Sequence, residues 1–308
     1  MINYKLLFAF SCCISVFCYS QQNYENRAMY IDNFATILSS NSLEEELLNF
    51  SKEHKINTLI LYDLNKINKR FHLGDSTKNH LLANFIRKAK TDYGIKKISA
   101  SGESGSFFLE AIHPYNISRK NPLERFDSYN LEYEYWNEKE SLKDGYYCNT
   151  YLKKAQLPCD RRSSFKYFIE SLFVMKTLAK ELDDNIEIEA YIGNFNNEEV
   201  AKISEHVDRL LIHDYVKDIN RNFIYIKERL HLLDKIDSKI DISILYSSEM
   251  NFMGKWFADH KLHEAETKFF KELEKNEISL ENHLNFDGFT YYNYGYLNYV
   301  KQMHKKNR

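Results

Sequence analysis

The chain has 308 residues and a formal net charge of −2, with 42 Lys and Arg interspersed among 44 Asp and Glu. This balance leaves no basic face of the kind a nucleic-acid binder needs, and the basic tail KQMHKKNR reads as a solvated terminus. The length suits one large domain or two small ones, and hydrophobic residues make up 44 % of the chain, enough for a real core.

The N-terminus reads as a secretory signal peptide. One Lys lies in residues 1–5, an apolar run broken only by small polar residues and Cys fills 6–17, and CYSQQN follows. A charged start, a short apolar core and a small residue place the cut after Ser20, so Gln21 opens the mature domain, 21–308. The run is too short to span a bilayer comfortably. The competing reading is a lipoprotein lipidated at Cys18, against which Phe17 stands, being larger than the small residue usual there. No later stretch is apolar for 18 residues, so the mature protein is expected to be exported, soluble and without a transmembrane segment. After Ser20 only Cys148 and Cys159 remain. In an oxidising compartment the two are expected to pair, the alternative being two free thiols. Neither a His nor a second Cys pair sits at metal-ligand spacing.

Strands and helices then alternate. Residues 27–33 (RAMYIDN) predict a first strand. Ser42 and Glu45 form a capping box that opens a helix to about 54. A second strand is expected at 57–63 (NTLILYD), a helix at 76–93, a third strand at 96–101 (KKISAS) and a fourth at 126–136 (FDSYNLEYEYW). After the segment with the two Cys come a helix at 165–182, a fifth strand at 186–192, and a short helix starting at 197. A sixth strand at 208–215, a helix at 222–234 and a seventh strand at 240–247 follow. A helix at 260–276, an eighth strand at 286–292 and a last helix at 296–304 complete the chain. Eight strands interleaved with helices predict a single-domain (β/α)8 barrel. An open doubly wound sheet would also alternate, but no glycine-rich phosphate turn follows the first strand.

The fourth strand carries the chemistry. Side chains alternate between faces along a strand, and a barrel strand has no solvent face. Tyr129, Leu131, Tyr133 and Tyr135 suit the helix side, so Asn130, Glu132 and Glu134 point inward. Glu134 falls near the C-terminal end, where barrel enzymes keep their sites. Two neighbouring inward carboxyls cannot both ionise easily, so one is expected to have a raised pKa, as a general acid needs.

These residues resemble the signature of the family 18 glycoside hydrolases, the chitinases and endo-β-N-acetylglucosaminidases. The family pattern DxxDxDxE reads here Asp127-Ser128-Tyr129-Asn130-Leu131-Glu132-Tyr133-Glu134. Its first Asp and last Glu match, Asn130 is an admitted variant, and Glu132 replaces the usual Asp. The family's SxGG at the third strand reads Ser99-Ala100-Ser101-Gly102. Its MxYD at the sixth reads Leu211-Ile212-His213-Asp214, with His for Tyr. Where the last strand usually supplies a Trp, this chain offers Tyr291 or Tyr292.

The resemblance implies retaining hydrolysis assisted by the substrate, without an enzyme nucleophile. The sugar's own 2-acetamido oxygen attacks the anomeric carbon. Glu134 would protonate the leaving oxygen, and Glu132 would balance the oxazolinium charge through the acetamido N–H. Asn130, Asp127, His213, Asp214 and Tyr292 would bind substrate, with His213 replacing the family's Tyr and Asp214 binding hydroxyls or orienting His213. Each has a plainer reading as well: Asp127 as a turn cap, His213 as a core residue, the two glutamates as half-exposed strand carboxyls. Glu187 and Glu189 alternate similarly and suit either the barrel lining or an exposed edge. Trp136, Trp256, Tyr30, Tyr191 and Tyr246 suit either sugar stacking or the core.

The chain is therefore expected to act on β-linked N-acetylglucosamine glycans or glycoproteins, as a monomer, with no cofactor or metal. Only 38 residues lie between Ser247 and Phe286, too few for the small domain that many chitinases insert there, which favours the endo-β-N-acetylglucosaminidase type. The alternatives are a non-catalytic glycan-binding barrel and a periplasmic interaction protein.

Overall fold

The computed structural model describes residues 26–182, 185–236 and 239–306. The expected signal segment and its cut lie outside the described residues. Eight parallel strands close into one barrel in chain order. The strands are β1 (Asn26–Ile31), β2 (Thr58–Leu61), β3 (Lys97–Gly102), β4 (Ser128–Leu131), β5 (Glu187–Ile192), β6 (Arg209–Asp214), β7 (Asp241–Ser247) and β8 (Asn285–Tyr292). Around them run α1 (Asn41–Glu53), α2 (His80–Tyr93), three consecutive helical stretches taken together as α3 (Gly105–Phe107, Phe108–Ile112, His113–Ser118), α4 (Arg161–Ala179), α5 (Asn197–Ser204), α6 (Asn222–Lys235), α7 (Leu262–His283) and α8 (Tyr294–Lys306). The (β/α)8 expectation holds. Closure of β8 on β1 pairs Gly288 with Asn26. Gly288 has φ +144°, and a Cβ there would run into the Asn26 carbonyl.

Several boundaries move for local reasons. Ser40, not Ser42, caps α1: its backbone is extended and its Oγ accepts from the Leu43 N–H. Residues 76–79 stay outside α2, because Asp75 accepts from both the N–H and the hydroxyl of Thr77 and holds a turn. The apolar pattern does not announce helix α3, since Leu109 and Ile117 are exposed and blur its stripe. Ser104 nevertheless caps it through the Phe107 N–H. Helix α7 runs to His283, past the expected 276, and breaks helical geometry at Glu277.

β4 is much shorter than the expected strand and ends at Leu131. One more bond, from the Glu132 N–H to the Gly102 carbonyl, continues the β3 ladder. Residues 133–137 then turn, with Tyr135 N–H on the Tyr133 carbonyl and Asn137 N–H on the Glu134 carbonyl. The alternation survives without the ladder. Tyr133 and Tyr135 are buried against α4, through a Ser164–Tyr133 hydroxyl bond and the Phe168 ring, while Glu132 and Glu134 stay partly exposed.

Glu187 and Glu189 line the barrel interior. Lys97 and Glu187 pair at 2.5 Å. One layer up, Glu189 is fully buried and accepts from Ser99 Oγ at 3.0 Å and Asn130 Nδ2 at 3.3 Å. Arg209, also buried, lies 3.0 Å from Glu189 and 2.8 Å from Asp287. Burial alone would lower its pKa, but the two carboxylate charges outweigh that and raise it.

Cys148 and Cys159 are joined, as expected. Among the described residues no helix is long and apolar enough to cross a membrane. Closing a loop of this size stabilises a fold by about 3 kcal/mol in the chain-entropy account. Reduction is therefore expected to lower the unfolding temperature by roughly 5–10 °C. Thermal unfolding with and without reductant measures this, and coincident curves would refute it.

Candidate active site

Inward residues at the C-terminal ends of the strands meet at one mouth. Tyr30 of β1 stacks on Tyr62, the residue after β2, with ring centroids 5.2 Å apart. Tyr292 of β8 meets Tyr30 edge-on at 5.9 Å and Tyr215 at 6.0 Å. Tyr215 touches His213 of β6, His213 meets Tyr191 of β5 at 5.6 Å, and Tyr191 meets Trp136 at 5.3 Å. A nearly continuous aromatic wall thus runs round the mouth. The Trp136 indole lies so close over Gly193 that a Cβ there would sit 2.5 Å from Nε1, so Gly193 lets the ring approach.

Glu132 stands within this wall, hydrogen-bonded to the hydroxyls of Tyr30 and Tyr62. Burial pushes its pKa up to about 8; the two tyrosine bonds oppose the shift, and the charges of Glu134 and Glu103 add to it. Below it, Tyr30 donates to Asn130 Oδ1 at 3.2 Å and Asn130 Nδ2 donates to Glu189 at 3.3 Å, so a row of hydrogen-bonding groups runs from Glu132 into the barrel. Glu134 is held more openly. Its Oε1 accepts from the Tyr191 hydroxyl at 3.1 Å and its Oε2 from Asn137 Nδ2 at 3.3 Å. Its backbone N–H donates to the Tyr147 hydroxyl at 3.0 Å.

His213 faces the mouth, and burial with the nearby Arg229 charge lowers its pKa to about 3. It is a neutral imidazole whose buried Nε2 has no hydrogen-bond partner among the described residues. Tyr292, rather than Tyr291, takes the position on the last strand. Tyr291 points outward and donates to Glu266 at 2.7 Å.

Two expected substrate ligands lie elsewhere. Asp127 precedes β4 and so sits at the N-terminal end of the barrel, opposite the mouth. There it pairs with Lys90 at 2.8 Å and accepts the Ile98 N–H of β3 at 2.7 Å. Asp208 serves β5 in the same way through the Ile188 N–H. These acids splice neighbouring strands. Asp214 has the opposite parity to His213 and sits beside Tyr246 in the helix-side layer. It is fully buried, its oxygens have no hydrogen-bond partner among the described residues, and burial raises its pKa strongly. It neither reaches the mouth nor orients His213. Of the expected stacking residues, Tyr246 packs outward against Phe289, and Trp256 stacks on His260. Sequence reasoning missed Tyr62, Glu103, Tyr147, Tyr215 and Glu249. Tyr62, Glu103 and Tyr215 continue the inward parity of Ile60, Ser101 and His213. Glu249 is held by Ser247 Oγ at 3.0 Å beyond β7.

No family model matches the sequence, and no curated protein is similar to it. Solved structures are similar. A protein assigned as an α-L-fucosidase from Bacteroides thetaiotaomicron aligns at 11 % identity over 92 % of both chains, with a TM-score of 0.53. A GH18 chitinase from Pseudoalteromonas aurantia aligns at 11 % identity over 91 % of this chain and 99 % of its own, with a TM-score of 0.47. A β-glucosidase from Thermotoga maritima aligns at 9 % identity over 82 % and 77 %, with a TM-score of 0.49. At these identities the likeness is one of fold, a TIM barrel, and it does not single out family 18.

Proposed function

We propose that the protein is an exported glycoside hydrolase that cleaves β-linked N-acetylglucosamine glycans by substrate-assisted, retaining hydrolysis, in the manner of an endo-β-N-acetylglucosaminidase. The observation that carries this reading is the Glu132–Glu134 pair in an aromatic mouth, with one member's pKa displaced to about 8. Below about pH 8 Glu132 carries a proton. In the proposed reaction that proton passes to Glu134, which donates it to the leaving oxygen. Glu132 is then the carboxylate that accepts the acetamido N–H and balances the oxazolinium charge. His213, in its Nε2–H tautomer, is a donor for the acetamido oxygen. The tyrosine rings and Trp136 offer faces for sugar stacking. The disulfide supports export, because such bonds persist in oxidising compartments.

Above about pH 8 Glu132 loses this proton and has none to pass on. Turnover of a chromogenic chitobioside, or of a glycoprotein, is expected, with kcat/KM falling about tenfold per pH unit above that point. Binding without turnover would leave a glycan-binding barrel. Neither binding nor turnover would favour the interaction-protein reading.

A further inference from the structure

Glu103 leaves β3 at the mouth, in the position beside Glu132. The register sets Ser101 against Asn130 and Gly102 against Leu131, and the Glu132 N–H bonds the Gly102 carbonyl at 2.9 Å. Ser99, Ser101 and Glu103 share one parity, and Ser99 points inward at Glu189. Glu103 therefore continues the inward row one strand over from Glu132, and its charge is felt there. It is partly exposed. Its Oε2 accepts two hydroxyls, from Tyr146 at 2.7 Å and Tyr151 at 2.5 Å. Tyr151 lies inside the loop closed by Cys148 and Cys159, and Tyr146 lies just before it. No Lys or Arg among the described residues pairs with Glu103, so it is not one half of a structural ion pair. Two donors on one oxygen fix the carboxyl group and leave Oε1 for another partner.

We infer that Glu103 is a glycan-binding residue, whose Oε1 accepts a hydroxyl or acetamido N–H of the sugar lying beside Glu132, with Tyr151 of the disulfide-closed segment and Tyr146 just before it as its positioning residues. This rests on the glycosidase reading. It adds a substrate class. A mouth with Glu103, Glu132 and Glu134 suits neutral, hydroxyl-rich sugars and opposes a uronate or a sulfated sugar, which would face like charge.

The test is calorimetric binding of an N-acetylglucosamine tetramer to the Glu134→Gln protein. Adding Glu103→Gln is expected to weaken binding about tenfold or more, as loss of a hydrogen bond to a charged acceptor does. Tyr151→Phe, which removes one of the two holding donors, is expected to weaken it by a smaller factor. In the wild-type background the Glu103→Gln loss should show in KM. Unchanged affinity in Glu103→Gln overturns the inference and leaves the glycosidase reading in place. If Glu103→Gln does not fold, unchanged affinity in Tyr151→Phe overturns it instead. A parent that neither binds nor, as wild type, cleaves the tetramer overturns both.

Discussion

Replacing Glu134 with Gln is expected to lower turnover of a chitobioside by about 10²- to 10⁴-fold, the usual contribution of a positioned general acid. Glycan binding should survive, because the amide keeps the shape and one acceptor of the carboxyl group, and Tyr191 can still donate to it. The pH limb near 8 should vanish with the turnover. Glu132→Gln should also cripple the reaction, since an amide cannot balance a developing positive charge. Glu132→Asp is the sharper comparison. The shorter side chain is the one that the resembled family uses, and misplacing a reacting group by 1 Å can cost about 100-fold. A site that works imperfectly with Glu should hold or gain activity with Asp, unless the bonds from Tyr30 and Tyr62 have fitted the pocket to the longer side chain. Steady-state kinetics on the three variants decides. Clear wild-type turnover that Glu134→Gln leaves unchanged would remove the assignment at its centre. No turnover in the wild type, nor in Glu132→Asp combined with His213→Tyr, would favour the glycan-binding reading.

The second large effect is on stability. Arg209→Ala is expected to cost about 3–5 kcal/mol, the penalty for leaving a buried charge uncompensated. Arg209 is the counter-ion of both Glu189 and Asp287, and Glu189 has no exposed surface. The unfolding temperature should fall by roughly 10 °C or more. Adding Glu189→Gln to Arg209→Ala should recover part of the loss at neutral pH, because it removes the orphaned charge. Denaturant unfolding measures both variants. An Arg209→Ala protein as stable as the wild type would show that the interior charges are solvated.

The number and order of the strands, the inward parity of Asn130, Glu132 and Glu134, and the pairing of Cys148 with Cys159 were legible in the residues alone. These are local properties. A strand's two-residue period assigns faces wherever the chain is extended, even past the last ladder bond at Glu132, and with the apolar N-terminal run set aside two cysteines allow a single pairing. Register and closure settled what the family-like spacing could not. Asp127 and Asp214 match the motifs in sequence, yet one lies at the wrong end of the barrel and the other on its wrong face, because an outward or early position is set by register and closure. The mouth itself is assembled from β1, β2, β3, β4, β5, β6 and β8, and no short window of sequence shows that Tyr30, Tyr62 and Glu103 converge on Glu132. Nor could the sequence assign the displaced proton. Alternation placed two carboxyls together and predicted one raised pKa, and the structure placed it on Glu132, because burial is a property of the closed barrel and burial is the largest cause of that shift.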